Sequence, residues 1–153
     1  MSENGKSDFD DMVDAIQQEI EADESSTFSR KVIEEFRDPK NAGRMGDADA
    51  VGIITGPCGD TMEFYLNIQD SRVADILFMT DGCGSTIACG SMLTQLVQDK
   101  YIEEVEKITD TDLQDALDGL PKENMHCAKL AVDTLMEALR NWHTKGDGSP
   151  TNH

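Results

Sequence analysis

From Val51 onward the apolar residues of this chain change period once, and the change falls at Gly82-Cys83-Gly84. Met62, Phe64, Leu66 and Ile68 alternate with Glu63, Tyr65 and Asn67, which is the pattern of a strand buried on one face. Val51, Ile53 and Ile54 form a strand-like run before it, and Val73, Ile76 and Phe78 form another after it. The link Gln69-Asp70-Ser71-Arg72 is short, so the runs are expected to pair as an antiparallel meander. Beyond Gly84 the spacing becomes helical. Residues 85–98 carry Ile87, Ala88, Met92, Leu93, Leu96 and Val97 at three- and four-residue steps. Short helices are expected over 102–107 and 110–117, the second capped within Thr109-Asp110-Thr111-Asp112. Leu120-Pro121 breaks the chain before a last helix over 123–142. Its buried stripe is Ala128, Ala131, Val132, Leu135, Leu139 and Trp142, with Lys129, Asp133, Glu137 and Arg140 opposite. Strands followed by helices predict an α+β domain: a small three-stranded antiparallel sheet with helices packed on one face.

Ahead of the strands, Thr27 or Ser29 can cap a helix that carries Val32, Ile33 and Phe36 on one face. It must stop before Asp38-Pro39, because the residue ahead of a proline disfavours the α region. Residues 1–27 hold nine acidic side chains and one lysine. Phe9, Met12, Val13, Ile16 and Ile20 recur there at helical spacing. This segment reads as an acidic extension, either a loosely attached helix or disordered. Residues 28–142 read as the folded domain, and 143–153 as a disordered tail. The net charge of −18 excludes a nucleic-acid partner. It serves solubility, or steers a basic partner protein. No apolar run approaches the roughly 20 residues that span a bilayer, and no signal or transit pattern opens the chain. A cytoplasmic protein with no membrane partner is expected. Its four cysteines then read as ligands or reactive thiols rather than disulfides.

Three of those cysteines stand beside Gly, Asp or His where the local pattern changes. Cys58 lies in a Pro-Cys-Gly-Asp turn at the exit of the first strand, with Asp60 opening the second. Cys83 sits between glycines at a helix start, where free amides and the helix dipole favour the thiolate. His126 and Cys127 open the last helix, and an imidazole there can bind the same metal or hold the neighbouring thiol near its anionic form. Together Cys58, Asp60, Cys83, His126 and Cys127 offer up to five ligands to a shared centre. Zinc would take four of them. An iron–sulfur cluster would use the thiolates, with His able to replace Cys on iron. A carboxylate is a harder ligand than a fourth thiolate, which points to a cluster meant to leave. Cys89, between Ala88 and Gly90 in mid-helix, reads as a small buried hydrophobe. His143 and His153 read as solvated, and the eight methionines as core filler. A zinc hydrolase of the deaminase type would need His-x-Glu with Pro-Cys-x-x-Cys, which is absent.

With their surroundings, these segments resemble the IscU family of iron–sulfur cluster scaffolds, also found as the N-terminal domain of NifU proteins. The likeness runs from Phe28 to Trp142. It rests on Phe28-Ser29-Arg30-Lys31-Val32-Ile33, Asp38-Pro39-Lys40-Asn41-Ala42-Gly43, Gly56-Pro57-Cys58-Gly59-Asp60, Gly82-Cys83-Gly84-Ser85-Thr86-Ile87-Ala88, and His126-Cys127 before a long helix. The resemblance implies an IscU/SufE-like fold and a scaffold and carrier rather than an enzyme. It implies Cys58, Cys83 and Cys127 as cluster ligands, Asp60 as the residue that keeps the cluster labile, and Cys127 as the persulfide acceptor. Iron (Fe2+) would enter among Cys58, Asp60, Cys83 and His126. A cysteine desulfurase would supply sulfur and a ferredoxin-type donor electrons. A homodimer would yield a 2Fe-2S cluster for apo iron–sulfur proteins. The alternative is a zinc-bound (Zn2+) sulfur acceptor like the SufU branch. That branch carries an insertion between its second and third cysteines, for which the 127 − 83 = 44 positions here are too few. Many relatives have Leu-Pro-Pro-Val-Lys, read by an ATPase chaperone, where this chain has Leu120-Pro121-Lys122-Glu123-Asn124. That difference counts against the chaperone route. Phe28 stands where the family often has a tyrosine linked to dimerisation.

Overall fold

A computed structural model describes residues 28–145. The helix expected within residues 1–27, most of the expected tail, and His153 lie outside the described residues. Helix α1 (Arg30–Arg37) starts at Ser29, whose Oγ accepts from the Val32 N–H at 3.0 Å and donates to the Leu117 carbonyl at 2.6 Å. Its buried residues are Val32, Phe36 and Glu35; Ile33 is only half-buried. The Glu35 carboxylate accepts from Ser91 Oγ at 2.6 Å and Gln95 Nε2 at 2.7 Å, which repays part of the cost of burying it.

Strands β1 (Ala50–Thr55), β2 (Thr61–Gln69) and β3 (Arg72–Thr80) form one antiparallel sheet in sequence order. β1 pairs with β2 from Ala50↔Leu66 to Thr55↔Thr61, and β2 with β3 from Met62↔Thr80 to Gln69↔Arg72. The alternation along β2 is realised: Met62, Phe64 and Leu66 are fully buried. On β3 the three-residue step from Val73 to Ile76 would put the two side chains on opposite faces of a regular strand. The register shifts there, with Asn67 opposite Asp75 and Ile68 opposite Val73, and the extra residue brings both inside. On β1 the apolar residues do not mark the buried face. Ala50 and Gly52 are buried, whereas Ile53 is 54% exposed.

Helices α2 (Gly84–Val97), α3 (Ile102–Val105) and α4 (Asp110–Ala116) follow, then a 3₁₀ turn (Lys122–Asn124) and helix α5 (Met125–Thr144). The helices pack on one face of the sheet, α5 over β1 and β2 and α2 over β3. α2 is buried almost all round, including Ser85, Thr86, Ser91 and Thr94, so it is more enclosed than its apolar stripe predicts. α3 ends at Val105, before the expected 107. α5 starts two residues later than expected and continues two past Trp142, which places His143 on the helix with Nε2 at 2.7 Å from Glu106.

Two glycines let the layers meet. A Cβ on Gly52 would lie 2.4 Å from the Thr134 carbonyl oxygen and 2.5 Å from the Ala138 nitrogen, both main-chain atoms of α5. A Cβ on Gly90 would lie 2.4 Å from the Phe78 ring. Backbone cannot yield as a side chain can. Gly52→Ala is therefore expected to destabilise the domain by about 3 kcal/mol, near the top of the range for overpacked sites, in denaturant titrations. Ile53→Thr, on the exposed face, should change stability by less than about 0.5 kcal/mol in the same measurement.

Candidate functional site

The β1–β2 connection, residues 56–60, is closed by Gly56 N–H to the Asp60 carbonyl at 2.8 Å and Gly59 N–H to the Gly56 carbonyl at 3.0 Å. Gly59 has φ +92°, a left-handed conformation that a side chain would strain. This loop carries Cys58 exposed at its tip and turns Asp60 inward to a half-buried position. Cys83 is the N-cap of α2, with extended backbone (φ −79°, ψ −173°), and is exposed. Ser85 and Thr86 follow it in the first turn. His126 and Cys127 lie in the first turn of α5; Cys127 is only 1% exposed.

These three segments meet. Cys58 Sγ lies 3.0 Å from His126 Nε2, which is 3.7 Å from Cys127 Sγ. Ser85 Oγ is 3.3 Å from both Cys83 Sγ and Cys127 Sγ. Thr86 Oγ1 lies within donating distance of Asp60 Oδ2 at 3.2 Å and of Cys127 Sγ at 3.3 Å, and is 3.7 Å from Cys83 Sγ. All five residues singled out in the sequence therefore belong to one continuous set of contacts. Cys89 does not: it is fully buried in α2, and burial pushes its thiol up.

The Cys83 and Cys127 thiols shift in opposite directions. A hydrogen bond from Cys127 holds the Cys83 thiol down to about 4, against the opposing effect of burial, with further help from Ser85 and the Thr86 backbone amide. The same hydrogen bond, and then burial, push Cys127 well above the ordinary thiol range. Sequence places the cause of Cys83 acidity in the helix N-terminus. The Thr86 amide does contribute, but the thiol partner from α5 dominates.

Among the described residues, no three His, Cys, Asp or Glu side chains stand in a geometry that could hold a metal ion. The donor set nevertheless fits soft and borderline metals: three thiols, an imidazole and a carboxylate. Ligands of one tetrahedral zinc or iron lie roughly 3.5 Å apart, given metal–ligand bonds of about 2.0–2.3 Å. The Cys58–His126 and His126–Cys127 separations of 3.0 and 3.7 Å are already close to that spacing. The site in this form is held by hydrogen bonds.

The pattern of cysteines did not single out three residues that work here. Ser85, Thr86 and Asn124 bind the thiols together, Asn124 Nδ2 donating to Ser85 Oγ at 3.2 Å. Only hydroxyls two and three residues after an N-cap thiol hinted at the first two.

The NifU-like N-terminal domain family matches residues 27–148. An iron–sulfur cluster assembly scaffold protein IscU 1 of Archaeoglobus fulgidus is 44% identical over 119 residues, 77% of this chain and 78% of that protein. An IscU scaffold of Aquifex aeolicus is 37% identical over 124 residues, 79% of each chain. In the fold, an N-terminal NifU-like protein from Brucella abortus superposes with TM-score 0.65 at 16% identity. It covers 77% of this chain and 95% of that one.

The lowered Cys83 value makes a kinetic prediction. Alkylation of Cys83 by iodoacetamide should stay nearly constant as pH falls from about 8 to 5, and drop only as pH nears the value of about 4. Cys127→Ala removes the donor, so the midpoint of that profile should move up by about two units or more, read by site-resolved mass spectrometry.

Proposed function

The chain belongs to the NifU-like N-terminal domain family, and from that premise we propose that it builds a labile 2Fe-2S cluster and passes it to apo iron–sulfur proteins. It is a scaffold and carrier of the IscU type rather than an enzyme. The observation that carries the finer reading is the meeting of Cys58, Asp60, Cys83, His126 and Cys127 at the ends of three connections. Iron and sulfide are its cargo. Cys58, Asp60, Cys83 and His126 would receive Fe2+, and zinc could occupy the same donors at rest.

Cys127 is the proposed sulfur acceptor. Once deprotonated, it attacks the outer sulfur of a persulfide on a cysteine desulfurase. The desulfurase thiolate leaves, and Cys127 carries the sulfur as a persulfide. Two electrons from a ferredoxin-type donor and one proton then cleave that S–S bond, giving sulfide (HS⁻) and the Cys127 thiolate. Cys127 is buried, so sulfur delivery requires the start of α5 to move. Two features favour such movement. No side chain caps the helix at Asn124, and only one short 3₁₀ turn precedes it. Two scaffold units would combine as a homodimer to complete the cluster. A cytoplasmic setting would keep the thiols reduced. Among the described residues no helix is long and apolar enough to cross a membrane.

The test is anaerobic assembly with a cysteine desulfurase, cysteine, ferrous iron and a reductant, followed by absorption and by iron and sulfide counts. A red, acid-labile chromophore is expected, and Cys58→Ala, Cys83→Ala and Cys127→Ala should each reduce it about tenfold or more. Retained zinc with sulfur transfer and no chromophore would instead support the zinc-bound sulfur acceptor. Asp60→Ala removes the hard oxygen ligand, so its cluster should persist longer and transfer more slowly, by about tenfold, to an apo-ferredoxin. Faster loss than in the unmodified protein would overturn that role for Asp60.

A further inference from the structure

Thr86 is fully buried at the meeting point of two of the three segments, and neither its charge nor its nucleophilicity gives it a part in the chemistry above. Its hydroxyl has one proton and three neighbours that can accept it: Asp60 Oδ2 at 3.2 Å on the β1–β2 loop, Cys127 Sγ at 3.3 Å on α5 and, more distantly, Cys83 Sγ at 3.7 Å. A second feature keeps the side chain there. A Cβ on Gly82 would lie 2.7–2.8 Å from the Thr86 Cβ, Cγ2 and Oγ1 atoms, so the residue ahead of Cys83 has to be bare for Thr86 to take this place. On the other side, Ser85 Oγ touches Cys127 Sγ at 3.3 Å and is itself held by Asn124. Two adjacent hydroxyls of one helical turn thus grip the same buried thiol. Among the described residues, only Thr86 connects that thiol to Asp60.

We propose that Thr86 is a positioning residue that couples Asp60 to Cys127, so that engaging the carboxylate and opening the buried thiol become linked events. The proposal rests on the scaffold reading for its purpose, but not for its geometry. When Asp60 accepts the Thr86 proton, the hydroxyl meets Cys127 only through its oxygen. When a cation draws Asp60 away, the proton is free to turn to sulfur. The hydroxyl carries a single hydrogen, so donation to the carboxylate and donation to sulfur exclude each other. Thr86 acts through its neighbours and needs no contact with iron or sulfide.

The experiment uses the full-length, metal-free protein and iodoacetamide, with site-resolved mass spectrometry of Cys127 and of Cys89 as a monitor of general loosening. Thr86→Val keeps the shape and removes the hydroxyl. It removes a donor that favours the Cys127 thiolate, so it should slow Cys127 alkylation about three- to tenfold, the effect of losing one ordinary hydrogen bond, with the Cys89 rate unchanged. Thr86→Ser restores the hydroxyl and should return the Cys127 rate to within about twofold of the unmodified protein. The coupling is read from a double-mutant cycle. Asp60→Ala should shift the Cys127 rate by about threefold or more when Thr86 is present, and by less than about twofold in the Thr86→Val background. Additive effects of the two substitutions, or a parallel change at Cys89, would overturn the proposal. No cluster is formed in this assay. A chain that failed to assemble one would therefore sink the scaffold reading while leaving the coupling measurable.

Discussion

Helix α5 crosses strand β1 at backbone contact, with the Thr134 carbonyl and the Ala138 nitrogen against the bare Cα of Gly52. The crossing is continued on both sides. The Leu130 side chain lies 3.4 Å from where a Cβ on Gly56 would be, and Asn141 Nδ2 donates to the Val51 carbonyl at 2.8 Å. From Leu130 to Asn141 the helix advances roughly 16–17 Å, at about 1.5 Å per residue. From Gly56 back to Val51 the strand covers about the same length, at about 3.3 Å per residue. The two elements therefore run alongside in opposite directions without drift. One turn further toward the helix start, His126 arrives beside Cys58 at the hairpin tip. The place of the site follows from how closely a helix can approach a strand.

Helix α2 supplies the third side by the same means. Gly90 admits the Phe78 ring of β3, and Gly82 admits Thr86. The first turn of α2 is then pressed between the hairpin loop and α5, and its small hydroxyl residues are what fit there. Ser85 and Thr86 are buried but not orphaned, since each contacts thiols or a carboxylate. A buried polar group without a partner would cost about 1–3 kcal/mol, so the cluster is stable only while those contacts are kept.

This arrangement sets protection against reactivity. Cys83 is exposed and its thiol is held below the ordinary range, whereas Cys127 is buried and its thiol is pushed above it. No side chain caps the start of α5 at Asn124.

Much of this was written locally. The β2 alternation, the single change of period at Cys83 and the turn residues around Cys58 depend on backbone preference and on spacing along the chain. They could be read without any knowledge of what lies across the fold. So could the cysteines themselves, because glycine, aspartate and histidine beside them are local signals. The buried face of β1 was not legible, since Gly52 is inside for the sake of a helix more than 80 residues away in sequence. The bulge that rescues Val73 and Ile76 belongs to strand pairing, not to either residue. Nor could sequence say which thiol keeps the proton, or that Thr86 lies between Asp60 and Cys127, 26 and 41 positions distant. Hydrogen bonds act over about 3 Å in space, and only the packing of α2, α5 and the hairpin decides which atoms come that close.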